Sequence, residues 1–141
     1  TTKRVSPEQA WDHILGYTCG NDISERTWQR NDNSMWRGKG SDTFAPIGPW
    51  IDTEFDPKAG GDMIVTLNGE EVQRASTADM YFDFGVLISY ISQQLTLKPG
   101  DVVWSGTTGD PRNMNPGDEV VVEVVGIGKL ANPVAMEPRS N

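Results

Sequence analysis

The sequence is short of several things, and each shortage narrows what the chain does. Cys19 is its only cysteine. No internal disulfide can form, and a reducing compartment, the cytoplasm, is the expected setting. Cys19 itself reads as a small buried thiol rather than a nucleophile. His13 is the only histidine. It lies beside Asp12 on a short helix with no second catalytic group at a matching helical spacing, so it reads as a helix-end residue rather than a general base. No apolar run approaches the ~18 residues of a membrane span, and no signal peptide is visible. Cations are scarce as well: 12 Lys and Arg against 20 Asp and Glu give a formal net charge of -8. That balance argues against a nucleic-acid partner and against an anionic membrane surface. At 141 residues the chain fits one domain with a core of its own.

What is present is concentrated between Gly16 and Trp50. This stretch mixes turn-forming, charged and aromatic residues with no clean period of 2 or 3.6, so packing alone does not account for it. It holds a carboxylate (Asp22), an amide (Gln29) and four cations (Arg26, Arg30, Arg37, Lys39). In an acidic protein, a local run of positive charge is the composition of a site for an anionic ligand, with a metal expected beside it; a solvated loop is the plainer reading.

Around this stretch the pattern is β-rich with two or three helices. Ser6-Pro7-Glu8-Gln9 predicts a helix start with a capping box, the helix ending near Gly16. Met63, Val65 and Leu67 alternate with polar residues before Asn68-Gly69, which predicts a type I′ hairpin returning through Glu71-Val72-Gln73. Met80, Phe84, Leu87, Ile88, Ile91 and Leu95 form an apolar stripe at helical spacing, stopping before Lys98-Pro99-Gly100-Asp101. Pro-Gly-Asp turns at Pro99 and Pro116 each lead into a predicted strand, Val102–Trp104 and Val120–Val122. The loop Ser105–Asp110 after the first suits backbone contact with a carboxylate or phosphate. Gly126-Ile127-Gly128 predicts a bend or bulge in the last strand, and the segment from Asn132 a surface tail.

In this order, several stretches resemble the fumarylacetoacetate hydrolase family. They are Gly16–Arg26 with Gln29, Lys39–Pro49, the Asn68-Gly69 hairpin, Ser76–Met80, Leu97–Asp101 leading to Ser105-Gly106-Thr107, and Pro116–Asp118 to Gly126–Gly128. The resemblance covers almost the whole chain. It implies an α+β, β-rich fold: a mixed β-roll of that family's catalytic-domain type. Residues 1–141 would form a single domain, the C-terminal portion of such a catalytic domain. It further implies an Mg²⁺- or Mn²⁺-dependent enzyme acting on a small anionic 2-oxo or β-diketo acid, with C–C hydrolysis of acylpyruvates, decarboxylation or isomerisation as the reaction, and a homodimer with Trp36 or Trp50 at the interface. Residue by residue, Asp22 matches the family's metal-binding aspartate, and Lys39 the lysine that stabilises the enolate. Arg26 and Gln29 match residues lining the substrate site, and Thr107, after Gly106, the threonine that holds the substrate carboxylate. The chemistry is coherent: a lysine aimed at developing negative charge helps most in the transition state.

The sequence departs from the family pattern at two places. No Glu-x-Glu occurs, although the family's other metal ligands stand in that arrangement, and the family's His/Glu pair on a lid segment has no match. Glu70-Glu71, Glu119 and Glu123 fall elsewhere in the order. The expectation is therefore of half a catalytic domain whose partner segment supplies the glutamates. The competing expectation is a non-catalytic module that binds an anion or a protein.

Overall fold

The computed structural model describes residues 1–138. The N-terminal capping box forms as the sequence predicts: Gln9 N donates to Ser6 Oγ at 3.3 Å while Ser6 N donates to Gln9 Oε1 at 3.0 Å. The helix it opens, α1 (Pro7–Ala10), lasts one turn and continues as a 3-10 turn over Trp11–His13. It therefore ends short of Gly16, and it packs closely on the helix it crosses. The principal helix, α4 (Phe84–Gln94), presents Gly85 to it, where a Cβ would come within 2.3 Å of Trp11 Nε1 and 2.7 Å of Pro7 O. Helix α4 starts later than the apolar stripe suggests, because Asp83 accepts from Val86 N at 2.9 Å and sets the N-cap there. Met80 lies ahead of the cap and Leu95 is the C-cap. The N-terminal strap is bound to the polar side of α4, with Ser89 Oγ donating to Val5 O at 2.8 Å and Val5 N to Ser92 Oγ at 3.2 Å.

Among the described residues, six strands make two sheets. A two-stranded ribbon pairs β1 (Tyr17–Gly20) with β2 (Ile47–Asp52). The larger sheet runs β4-β3-β5-β6, built from β3 (Asp62–Leu67), β4 (Glu70–Ser76), β5 (Glu119–Val124) and β6 (Gly128–Pro133). The α+β class holds. Pairing among the described residues is antiparallel throughout rather than mixed. Asn68 (φ 52°) and Gly69 (φ 81°) make the two-residue turn joining β3 to β4, both in the left-handed region that a type I′ turn requires. Val122, Val124, Ile127 and Cys19 form the buried centre, lined by Tyr17, Phe55, Met63, Val65 and Leu130. Tyr17 meets Phe55 and Phe84 edge-on, at centroid distances of 5.8 and 5.0 Å, and so ties the ribbon to α4.

Three sequence expectations are corrected. Val102–Trp104 is not a strand: it lies outside all six strands, since no neighbouring strand of the described residues comes alongside. Gly126 (φ 101°) and Ile127 belong to the tight turn joining β5 to β6, not to a bulge within a strand. Asn132 and Pro133 end β6, so the irregular tail starts at Val134. No helix of the described residues is long and apolar enough to cross a membrane.

Candidate anion site

The chain leaves the ribbon at Gly20 and enters a loop fixed by its own backbone: Asn21 N donates to Pro46 O at 3.0 Å and Ile23 N to Asn21 O at 3.0 Å. Ser24 Oγ donates to Asp22 O at 3.2 Å. Glu25 then caps the short helix α2 (Arg26–Gln29), its carboxylate accepting from Thr27 N at 2.6 Å. That bond holds the Glu25 carboxyl below its ordinary range. After α2, Asp32 accepts from Ser34 N at 3.0 Å and Arg37 N at 3.1 Å, turning the chain back into helix α3 (Trp36–Lys39). The two short helices touch at a residue without a side chain. A Cβ on the buried Gly38 would lie 3.3 Å from Gln29 Cα, while Gly38 O accepts from Glu25 N at 2.9 Å.

This fold-back brings Lys39 to Asp22. Its Nζ pairs with Asp22 Oδ2 and donates to Ser24 Oγ at 3.0 Å. On the same unit, Arg26 Nη1 donates to Gln29 Oε1 at 2.7 Å. The Arg37 guanidinium lies 4.2 Å from the centroid of the Trp28 ring. Four of the six predicted site residues (Asp22, Arg26, Gln29, Lys39) thus stand on one loop-helix-helix unit. The Lys39–Asp22 pair is partly open to solvent, with the two side chains 31% and 47% exposed. A pair so placed adds little to stability. It does hold the ammonium in position while leaving it reachable by an anion.

Thr107 and Gly106 stand apart from this unit. Gly106 has φ 92° and both residues are exposed. The loop is tied to β4 instead, where Gln73 Nε2 donates to Thr108 O. No hydrogen bond or ion pair of the described residues joins Thr107 to Asp22 or Lys39. The link that exists is through packing: a Cβ on Gly20 would come within 2.5 Å of the Trp104 ring, two residues before Gly106. His13 ends the 3-10 turn, exposed, as a helix-end residue.

A divalent metal is implied by the family resemblance, and the donor set of these residues does not fit one. No cluster of three or more His, Cys, Asp or Glu of the described residues is placed to hold a metal. Asp22 is the one carboxylate among the predicted site residues, and its Oδ2 faces an ammonium. Of the glutamates weighed above, Glu71 pairs with Arg74, Glu70 with Arg112 and Glu123 with Lys129.

Sequence reasoning overlooked Ser24 and the Trp28–Arg37 stack. A hydroxyl two residues beyond Asp22, where side chain and backbone readily close a small turn, was a readable signal for the first. The stack had none, because Trp28 and Arg37 meet only after α2 and α3 fold against each other.

The fold and the site can be set beside known proteins. The family model described as "Fumarylacetoacetate (FAA) hydrolase C-terminal" matches residues 1–135. The 5-carboxymethyl-2-hydroxymuconate delta-isomerase from Mycobacterium smegmatis superposes with a TM-score of 0.94 at 42% identity, over 98% of this chain and 55% of that one. The maleylpyruvate hydrolase from Sphingobium does so with a TM-score of 0.85 at 32% identity, over 96% and 49%. Among curated proteins, the 4-hydroxyphenylacetate degradation bifunctional isomerase/decarboxylase of Salmonella dublin is 38% identical over 100% of this chain and 34% of its own length. The chain spans about half the length of the first curated relatives it matches. With nearly its whole length matched by the family model, and its fold closely shared, the chain belongs to the fumarylacetoacetate hydrolase family.

Proposed function

We propose that this chain provides the cationic part of a site that binds a small anionic 2-oxo or β-diketo acid and cleaves its C–C bond by hydrolysis. The observation that carries the reading is Lys39, held by Asp22 and Ser24 on the unit that also carries the Arg26–Gln29 pair. Cleavage beside a carbonyl leaves an electron pair that becomes an enolate. An ammonium fixed near that oxygen before the reaction stabilises the charge as it develops and needs no reorganisation. Arg26, always charged and planar, suits the substrate's distal carboxylate. Thr107 and Gly106 are proposed as its other carboxylate contact, reached when Trp104 positions their loop. Isomerisation or decarboxylation builds up the same negative charge. Isomerisation is the second reading, favoured by the higher identity to the Mycobacterium smegmatis isomerase than to the Sphingobium hydrolase. Dependence on Mg²⁺ or Mn²⁺ is proposed only for an assembly that brings further carboxylates to Asp22, as is closure of the two sheets into a β-roll.

The test is calorimetric titration with oxalate, a mimic of the enol acid, with and without Mn²⁺, on wild type and Lys39→Met. The variant should bind at least tenfold more weakly, the loss expected for one charge-assisted hydrogen bond of about 1.5–3 kcal/mol. Equal affinity in the two proteins would refute the role of Lys39.

A further inference from the structure

The loop that carries Gly106 and Thr107 has little of its own to hold it in place. From Val102 through Met114, no backbone N–H or C=O takes part in a backbone hydrogen bond among the described residues. Gly106 (φ 92°) and Gly109 (φ 69°) both lie in the left-handed region, and glycines on either side leave Thr107 and Thr108 free to reorient. The placement of Thr107 therefore comes from outside the loop. Trp104, seated on Gly20, fixes one end. Two polar ties fix the other, and both come from β4. Gln73 Nε2 donates to Thr108 O, and Arg112 Nη1 pairs with Glu70 Oε1 at 2.9 Å.

A bulge in β4 lets one strand supply both ties. Val65 of β3 stands opposite Gln73 and Thr66 opposite Glu71, so Val72 is an extra residue with no partner on β3. In a regular strand Gln73 would share a side of the sheet with Glu71. Across the bulge it shares one with Glu70 instead, because Gln73 faces Val65, Glu70 faces Leu67, and those two residues lie on one side of β3. One inserted residue thus turns two polar side chains toward the same loop. The ties are unequal. Arg112 and Glu70 are 55% and 65% exposed, and an ion pair so open contributes little. Gln73 is half-buried and its stem also meets the loop, since a Cβ on Gly109 would lie 3.8 Å from Gln73 Cγ, an ordinary contact. Gln73 therefore holds the Thr108–Gly109 peptide through both its carboxamide and its stem.

We propose that Gln73 is a positioning residue for the anion site: by holding the peptide just beyond Thr107, it sets where the Thr107 hydroxyl stands to meet a substrate carboxylate. The inference rests on the reading of Thr107 as a carboxylate contact. Gln73 itself touches no substrate and acts through Thr107.

The test has two readouts. With no anion present, NMR relaxation reports the order of the Gly106 and Thr107 amides, which should fall in Gln73→Met. Gln73→Glu, which keeps the shape but replaces the donor with an acceptor, should do the same at neutral pH and serves if the methionine disturbs the sheet. Calorimetric titration with oxalate then compares wild type, Gln73→Met, Thr107→Val and the double variant. Each single variant should bind about threefold more weakly, the loss of one neutral hydrogen bond. The double variant should bind no more weakly than Thr107→Val, because the two residues act in series. Amides as ordered in both Gln73 variants as in wild type would overturn the anchoring. A loss in Thr107→Val with none in Gln73→Met would overturn the role of Gln73 alone, and additive losses would show that it does not act through Thr107. If Thr107→Val binds oxalate as wild type does, the carboxylate contact itself fails and the positioning role goes with it.

Discussion

Gly20→Ala is the substitution that tests the architecture of the site most directly. Glycine is required there by a close approach: an added Cβ would meet the Trp104 ring at 2.5 and 2.7 Å. The ring must swing away or β1 must move. Trp104 is 40% exposed, so of the ~250 Å² a tryptophan can bury it hides about 150 Å², worth about 4 kcal/mol at ~25 cal/mol per Å². Displacing half of that contact costs about 2 kcal/mol, inside the ~1–3 kcal/mol range for overpacking. Urea unfolding followed by circular dichroism measures it. The double variant Gly20→Ala/Trp104→Leu adds a check, since the smaller side chain makes room for the methyl. A coupling of at least ~1 kcal/mol should appear in the cycle. A Gly20→Ala midpoint indistinguishable from wild type, with no coupling, would sink the argument, because the ring would then not be seated on Gly20.

Lys39→Met should change unfolding free energy by less than about 1 kcal/mol, given the exposure of the pair, even as anion binding falls; a large loss of stability would recast Lys39 as structural. The Asp118 carboxylate accepts from Asn68 Nδ2 at 2.8 Å and from Asn115 N at 2.7 Å, which holds its pKa below the usual value, the Asn68 bond foremost. Its stabilisation is therefore present above the ordinary aspartate range of ~3.9 and is lost as pH falls through the lower folded value. Thermal scans from neutral to strongly acidic pH should show a fall in Tm that Asp118→Asn flattens, and equal slopes would contradict the assignment. Cys19 is 1% exposed and burial pushes its thiol pKa up, so it should resist a thiol reagent at mildly alkaline pH until the protein unfolds. Rapid modification of the native protein would contradict that burial.

What the sequence made legible were features decided by local chemistry. The Ser6–Gln9 capping box, the Asn68-Gly69 hairpin and the α4 stripe depend on residues a few positions apart, and all three formed. The Asp83 cap was equally local and went unread, because the apolar spacing continued past it to Met80. Val102–Trp104 failed as a strand for a different reason: strand propensity needs a neighbour, and the sequence pattern does not say whether one arrives. At the candidate site the family motif named Asp22, Arg26, Gln29 and Lys39. It did not say that Lys39 would pair with Asp22 across seventeen positions rather than with nearby Asp42, since that contact depends on α3 folding back over Gly38.

The Arg26–Gln29 hydrogen bond carries one further consequence. A carboxamide can normally turn either end toward a ligand, but here the Arg26 guanidinium donates to Oε1 and fixes which end faces it. Gln29 Nε2 reaches Met35 Sδ at 3.8 Å and keeps a further N–H to offer. On the same unit, Lys39 Nζ keeps an N–H beyond those engaged by Asp22 and Ser24, and the Asp22 carboxylate stands with it as an acceptor. A β-diketo acid interconverts between a keto form, which presents only lone pairs, and an enol form, which presents a hydroxyl proton. Under the proposed function such a surface serves both tautomers: its N–H groups take up a keto or enolate oxygen, and the carboxylate accepts the enol's hydroxyl proton.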